Sequence, residues 1–161
     1  MSETLIYLLT LASALGAGLI AGAFFAFSSF VMGALARLPA AQGIAAMQSI
    51  NIVVINPIFL GIFMGTAILG AALIVGALLN WSAPGAAYLL AGGVLYVAGC
   101  FLVTMICNVP LNNELAVVAA DSPTSVQVWT KYLTNWVWWN HVRTVGALLA
   151  SGAFILSVRA G

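Results

Sequence analysis

The chain has 161 residues, of which 64% are hydrophobic and only 4% are charged, and its formal net charge is +1. Soluble domains usually carry about a quarter charged residues, so this composition excludes an ordinary soluble domain, a disordered chain and an electrostatic binder of nucleic acid. Cys100 and Cys107 would lie roughly 10 Å apart on one helix, too far for a disulfide. The composition therefore predicts a multi-pass integral membrane protein of helices, with a single domain over residues 1–161 in the lipid bilayer.

Four apolar segments are long enough to cross a bilayer, which needs about 20 residues of helix. They cover residues 5–35, 57–79, 86–107 and 145–158, the last extended backwards by the aromatic stretch 136–139. We predict an all-α fold, a four-helix transmembrane bundle. No Lys or Arg precedes the cleavage-like sequence at residues 21–23, so we expect a retained first helix, not a signal peptide. Gly16, Gly18 and Gly22 form a small-residue face, including the pattern Gly18-x-x-x-Gly22, that permits close helix packing and self-association into a homo-oligomer.

The polar residues are predicted to gather at one end of the bundle. Four spans traced from the N-terminus cross the membrane alternately. The polar segments that precede the second span, follow the third and precede the fourth therefore lie on the same side. Helices 2, 3 and 4 are therefore predicted to extend beyond the bilayer there. Arg37 and Lys131 lie on this side, which favours the cytoplasmic face by the positive-inside rule. Asn56 precedes Pro57, whose ring is expected to kink the second helix and open a cleft.

Six amide side chains are expected near the same depth at this end. They are Gln48, Asn51, Asn56, Asn108, Asn112 and Asn140. Amides also hydrogen-bond across transmembrane helices for about 1 kcal/mol each, so structural packing is the alternative. Spacings of three and four residues put Gln48 with Asn51, and Asn108 with Asn112, on one helix face. The number of amides favours a polar pocket over packing alone.

An aromatic stripe leads into the fourth span. Its members recur at spacings of three and four residues, as one face of a helix requires: Trp129, Tyr132, Trp136, Asn140 and Arg143. Trp129 and Trp136 are therefore expected to form pocket walls. Trp81, Trp138 and Trp139 instead fit the aromatic belt that forms at a membrane interface.

Arg143 and His141 carry the strongest chemical signals, because ionisable groups beside hydrocarbon are costly and tend to be functional. We expect Glu114, the carboxylate nearest in depth, to pair with Arg143; a snorkelling anchor is the alternative. His141 is the single imidazole, suited to act as a base, as an axial haem ligand or as a structural hydrogen-bond partner. One His and two thiols do not make a conventional zinc, copper or di-iron site, so no metal site is predicted.

Four segments, in order along nearly the whole chain, resemble the anthrone oxygenase-like family of small four-span membrane proteins, most of unknown function. They are Gly22-Ala-Phe-Phe-Ala-Phe-Ser28, Met47-Gln-Ser-Ile-Asn51, Asn108-Val-Pro-Leu-Asn-Asn113 and Trp136-Val-Trp-Trp-Asn-His-Val-Arg143. The most specific parts are Asn-Val-Pro-Leu-Asn and Trp-Asn-His-Val-Arg. The resemblance implies the four-span fold directly, and an activity only indirectly, because a fold does not fix a function.

The resemblance implies a monooxygenase that uses O₂ on an anthrone-like or other lipophilic aromatic substrate, without metal or flavin. The substrate would lose a proton to give an enolate that reacts with O₂ directly. On this reading His141 is the base, and Arg143, Asn108, Asn112 and Asn140 stabilise the anionic oxygen. The implied substrate-binding residues are Phe24, Phe27 and Trp136, which would stack on the flat substrate, together with Gln48, Asn51, Asn56 and Trp129.

Two alternatives from other functional classes stay open. The protein could bind haem or another lipophilic ligand through His141, as a redox or sensor module. It could also be a non-catalytic membrane partner or transport subunit. A hollow enclosed by the polar cluster would favour ligand binding, whereas tight amide pairing would favour a purely structural role.

Overall fold

The structure, a computed structural model, describes residues 3–160 and contains five helices and no β-strand in that range. Residues 1–2 and 161 of the predicted domain lie outside the described residues. Helix α1 consists of Glu3–Ala26, a π-helical segment Phe27–Val31 and a last turn Met32–Leu35. Helix α2 is Ala40–Val53, and helix α3 is Pro57–Leu79.

The second half of the chain forms two long helices. Helix α4 begins as Ala86–Tyr96, continues through the π-helical segments Val97–Leu102 and Thr104–Asn108, and ends as Val109–Ala116. Helix α5 is uninterrupted over Ser125–Ala160. Helices α1, α3, α4 and α5 are long and apolar enough to cross a membrane. The predicted four-helix bundle is confirmed, and these helices are those of a multi-pass integral membrane protein.

The four long helices form a closed ring in which α1 packs against α3 and α5, and α4 packs against the same two helices. Helices α4 and α5 approach each other closely at a pair of glycines: a Cβ on Gly146 would lie 2.7 Å from the Gly99 carbonyl oxygen. Within the predicted small-residue face of α1, Gly16 packs closely against the Thr66 side chain of α3, whereas Gly18 and Gly22 make no such approach. A Cβ on Gly18 would only touch Ser151, and one on Gly22 would meet nothing within 4 Å.

Two separate cores fill the bundle. The first lies among the four long helices and includes Ile20, Phe24, Phe63, Tyr96 and Phe154. The second lies at the end of the bundle that α2 closes, and its members are Met32, Ile44, Met47, Leu115, Trp129, Tyr132 and Trp136. Four buried polar side chains lie at the boundary between these two cores: Asn108, Asn140, Arg143 and Thr144.

The chain before α3 differs from the sequence prediction. Instead of kinking at Pro57, it leaves the helical conformation at Asn56, which has φ −125° and ψ 158°. The Asn56 Oδ1 atom accepts hydrogen bonds from the backbone N–H groups of Ile58 (3.1 Å) and Phe59 (3.0 Å). Proline suits the first turn of a helix and an asparagine suits the cap before it, so this pair begins a new helix.

Candidate functional site

Arg143 of α5 lies inside the bundle, with a side chain that is only 5% exposed. Its guanidinium carbon is 3.8 Å from the centre of the Phe24 ring and 4.9 Å from the centre of the Trp136 ring. Phe24 belongs to the first core and Trp136 to the second, so the cation bridges the two. Aromatic faces attract cations, and this attraction grows when the cation is desolvated.

Asn140, one turn before Arg143, holds the guanidinium in place. Its Oδ1 atom accepts from Arg143 Nε at 3.0 Å and from Arg143 Nη2 at 2.8 Å. Its Nδ2 group donates to the Phe24 carbonyl at 2.8 Å and to Ser28 Oγ at 2.7 Å. Both ends of the amide are thereby occupied, which makes Asn140 a residue that positions Arg143 and ties α5 to α1.

Two threonines complete this group of residues. The Thr144 hydroxyl donates to the Asn140 carbonyl at 2.6 Å, and Arg143 Nη1 makes a long hydrogen bond of 3.4 Å to Thr104 Oγ1 of α4. We call the set Ser28, Thr104, Asn140, Arg143 and Thr144 the Arg143 cluster. Its side chains come from α1, α4 and α5 and meet at one level of the bundle.

The Arg143 cluster contains a cation without a carboxylate. The expected pairing of Glu114 with Arg143 is wrong, because Glu114 instead accepts from Lys131 Nζ at 2.9 and 2.8 Å on the protein surface. No other salt bridge is found among the described side chains. The positive charge of Arg143 is therefore met by neutral oxygens and aromatic faces alone.

Asn108 and Trp136 present two unpaired polar atoms next to this cluster. Asn108 is fully buried, and its Nδ2 group donates to the Trp136 carbonyl at 3.1 Å. The Asn108 Oδ1 atom and the Trp136 Nε1 group are buried without a hydrogen-bond partner among the described residues. The predicted role of Asn108 is to donate to an anion; one N–H of its amide is taken by the Trp136 carbonyl, and its unpaired atom is an acceptor.

The aromatic stripe forms a continuous stack on α5. Trp129, Tyr132 and Trp136 lie nearly parallel, with ring centres 5.8 and 5.5 Å apart, and Phe27 meets Trp136 edge-on at 5.8 Å. The Tyr132 hydroxyl donates to Asn112 Oδ1 at 2.8 Å. Asn51 of α2 lies beside the same hydroxyl. The predicted amides Asn51 and Asn112 therefore form a second polar group, which surrounds the Tyr132 hydroxyl.

Three further predicted site residues lie apart from both the Arg143 cluster and the aromatic stack. Gln48 donates to the carbonyls of Leu115 (2.8 Å) and Val118 (3.0 Å), and so secures the end of α4. Asn56 caps α3, as described above. His141 is exposed and lines a shallow surface cleft together with Trp138.

Sequence reasoning left out Ser28, Thr104 and Thr144. Each lies four residues from a predicted site residue on the same helix, and this spacing was the available signal. Ser28 also falls in the π-helical segment Phe27–Val31, while Thr104 begins the segment that ends at Asn108. Because π-helical turns are rare and frequently occur at functional sites, their meeting at the Arg143 cluster supports a functional role for it.

A cavity of about 510 Å³ lies at the opposite end of the bundle. Its lining includes Tyr7, Thr10, Asn80 and Ser157. Ser157 is about 21 Å along α5 from Arg143, so this cavity is separate from the Arg143 cluster. Neither this cavity nor the cleft beside His141 is lined by a residue of the cluster. The described residues contain no group of three or more His, Cys, Asp or Glu side chains that could hold a metal ion.

A family model described as anthrone oxygenase matches residues 59–153, more than half of the chain. The matched range runs from α3 into α5 and contains Thr104, Asn108, Trp136, Asn140 and Arg143. The α1 residues of the site precede it. No curated protein and no solved structure matches the chain.

Proposed function

Since the chain belongs to the anthrone oxygenase family, we propose that it is a membrane-embedded oxygenase acting with O₂ on an anthrone-like lipophilic aromatic substrate. The observation that supports this most directly is Arg143, a buried cation between two aromatic rings with no carboxylate partner among the described side chains. An uncompensated buried charge is costly, so a site that keeps one is suited to receive an anion.

The proposed reaction begins with the loss of a proton from the methylene group of the anthrone. The resulting enolate is electron-rich, so it reacts with O₂ directly and forms a carbon–oxygen bond, giving a hydroperoxide after it takes up a proton. Loss of the second methylene hydrogen as a proton breaks the O–O bond and expels hydroxide. One oxygen atom ends in the quinone and the other in water, and the reaction uses neither a metal nor a flavin.

Arg143 would act in this reaction by stabilising the enolate oxygen. A charged donor held in a dry site needs no reorganisation when negative charge develops, which is a large source of catalytic rate. Asn140 would keep the guanidinium in position, and Phe24 and Trp136 would contact the flat substrate. We therefore assign most of the rate acceleration to the stabilisation of the enolate anion by Arg143.

The composition of the Arg143 cluster also bears on which group accepts the proton. No imidazole and no carboxylate belongs to the Arg143 cluster, so the proton is proposed to pass to water at the membrane surface. His141 lies on the exposed side of α5. It would serve as the base only for a substrate that approaches along that outer face, and a His141→Ala variant with full activity would exclude that role.

The direct test uses purified, metal-analysed protein in lipid nanodiscs, mixed with an anthrone panel first without and then with O₂. We expect quinone formation only after O₂ is admitted, with one atom of ¹⁸O₂ in the product. Arg143→Gln should lower the rate about 10²-fold, as expected for loss of an oxyanion donor. Arg159→Gln, an equal change at an exposed position of α5, is the matched control and should keep the wild-type rate.

Three results would contradict the proposal. Oxidation no faster than in empty nanodiscs would exclude the activity, and wild-type turnover by Arg143→Gln would exclude the site. A Soret band in the active protein that disappears in His141→Ala would support the haem alternative instead.

A further inference from the structure

Two contacting residues, one on α4 and one on α5, each carry an unpaired polar side-chain atom. These atoms are Asn108 Oδ1 and Trp136 Nε1, and they belong to side chains that are 0% and 3% exposed. Buried polar groups are nearly always hydrogen-bonded, because an unpaired one loses its interaction with water and gains nothing in return. An unpaired acceptor and an unpaired donor on two residues that contact each other therefore point to a ligand that offers both a donor and an acceptor.

The orientation of the Asn108 amide is fixed by its neighbour. Its Nδ2 group donates to the Trp136 carbonyl at 3.1 Å. Exchanging the two ends of the amide would bring Oδ1 against that carbonyl oxygen, which is an acceptor too. The unpaired atom of Asn108 is therefore an acceptor, and it is suited to a ligand O–H group but not to an anion.

Both residues belong to the surroundings of Arg143. Thr104 and Asn108 are four residues apart on α4, and Arg143 Nη1 reaches Thr104 Oγ1. Asn108 thus lies on the face of α4 that is turned towards the cation. The Trp136 ring is 4.9 Å from the guanidinium carbon, so its N–H group belongs to the same region.

We propose that Asn108 and Trp136 are the residues that orient the substrate at Arg143. A phenolic hydroxyl of the ligand donates to Asn108 Oδ1, while the oxygen that becomes anionic accepts from Trp136 Nε1 beside Arg143. This inference rests on the proposed function and reassigns Asn108 from stabilising the anion to selecting a hydroxylated ligand. A buried acceptor of this kind discriminates strongly against analogues that lack the hydroxyl, because it then stays unpaired.

The test measures binding without turnover, using quinones as probes. The 1- and 2-hydroxyanthraquinones are titrated against protein in nanodiscs, each in parallel with its methyl ether. We expect at least one hydroxy compound to bind about tenfold more tightly than its ether, the usual scale for a buried hydrogen bond. Asn108→Leu should reduce this ratio to about twofold or less by weakening only the hydroxy compound. Trp136→Phe should weaken both members of a pair alike.

Asn113→Leu is the matched control for changes in partitioning, because Asn113 is exposed on the same helix; its binding ratio should equal that of the wild type. Equal affinity of the wild-type protein for both hydroxy compounds and their ethers would overturn the inference without needing any variant to fold. If anthrones are oxidised but the hydroxy compounds bind no more tightly than their ethers, the proposed function stands and this inference is rejected. Hydroxyl selection without oxidation would support the binding roles and reject the oxygenase.

Discussion

The Asn140 Oδ1 atom accepts two hydrogen bonds from Arg143, from Nε at 3.0 Å and from Nη2 at 2.8 Å. An amide at this place fixes the guanidinium plane without cancelling its charge. A carboxylate would make the same two contacts and also neutralise the cation. The choice of a neutral partner therefore keeps Arg143 both rigid and electrostatically available.

A carboxylate added beside Arg143 should remove activity without unfolding the protein. Thr104 Oγ1 lies 3.4 Å from Arg143 Nη1, so Thr104→Asp places a counter-ion next to the cation. We expect at least a tenfold slower oxidation, roughly 1.4 kcal/mol of lost transition-state stabilisation, with an unchanged melting temperature. Thr104→Asn has a similar size and no charge, and it should stay closer to the wild-type rate. Equal rates for the two variants would show that the net charge of Arg143 does not matter.

Loss of the Asn140 amide should destabilise the fold. Asn140→Leu leaves Arg143 Nε, Arg143 Nη2 and the Phe24 carbonyl without their partners inside the bundle. Removing the partner of a buried charge costs about 3–5 kcal/mol. For a chain of this length we expect an apparent melting temperature lower by roughly 10 °C, measured by tryptophan fluorescence in detergent. Asn135→Leu, at an exposed position of α5, is the control; a similar loss there would mean that the effect is not specific to the cluster.

The surface pair Lys131 and Glu114 should contribute little. Their side chains are 51% and 40% exposed, and ion pairs of this kind contribute about 0–1 kcal/mol. Glu114→Gln is therefore expected to keep the wild-type rate and to shift the melting temperature by no more than about 3 °C. A large loss of activity in this variant would instead link Glu114 to Arg143, contrary to the geometry described above.

Patterns that depend on length and period could be predicted from the sequence. The four long helices follow from apolar segments that match the bilayer thickness, and this prediction is confirmed. The period of three and four residues put Trp129, Tyr132 and Trp136 on one face of α5, where they stack. Both predictions depend on the regular geometry of a helix, because the spacing of residues along the sequence determines helix length and which residues share a face.

The partner of each polar side chain could not be predicted in the same way. The depth of a residue in the membrane does not say towards which neighbouring helix its side chain points. Depth alone therefore predicts a pair of Glu114 with Arg143, whereas Glu114 binds Lys131. The π-helical turns of α4 alter its register and have no sequence signal of comparable strength. Amides also bind backbone groups that no pattern marks, as Gln48 does with the carbonyls of Leu115 and Val118.

The contact between Gly146 and Gly99 sets the distance between α4 and α5 close to the site. A Cβ on Gly146 would lie 2.7 Å from the Gly99 carbonyl oxygen and 2.8 Å from its carbonyl carbon. Because these are backbone atoms, they yield only if the helices separate, which moves Thr104 and Asn108 away from Arg143. Gly146→Ala should therefore lower both the melting temperature and the oxidation rate, at a cost of about 1–3 kcal/mol in stability.

Gly152 provides the matched control on the same helix, since a Cβ there meets nothing within 4 Å. Gly152→Ala should leave the oxidation rate unchanged and raise the stability slightly, because alanine favours a helix over glycine by roughly 1 kcal/mol. Thermal unfolding and initial rates of both variants, measured in the same nanodiscs, give the comparison. If Gly146→Ala behaved like Gly152→Ala, the close approach of α4 and α5 would not be what holds Asn108 and Thr104 against Arg143.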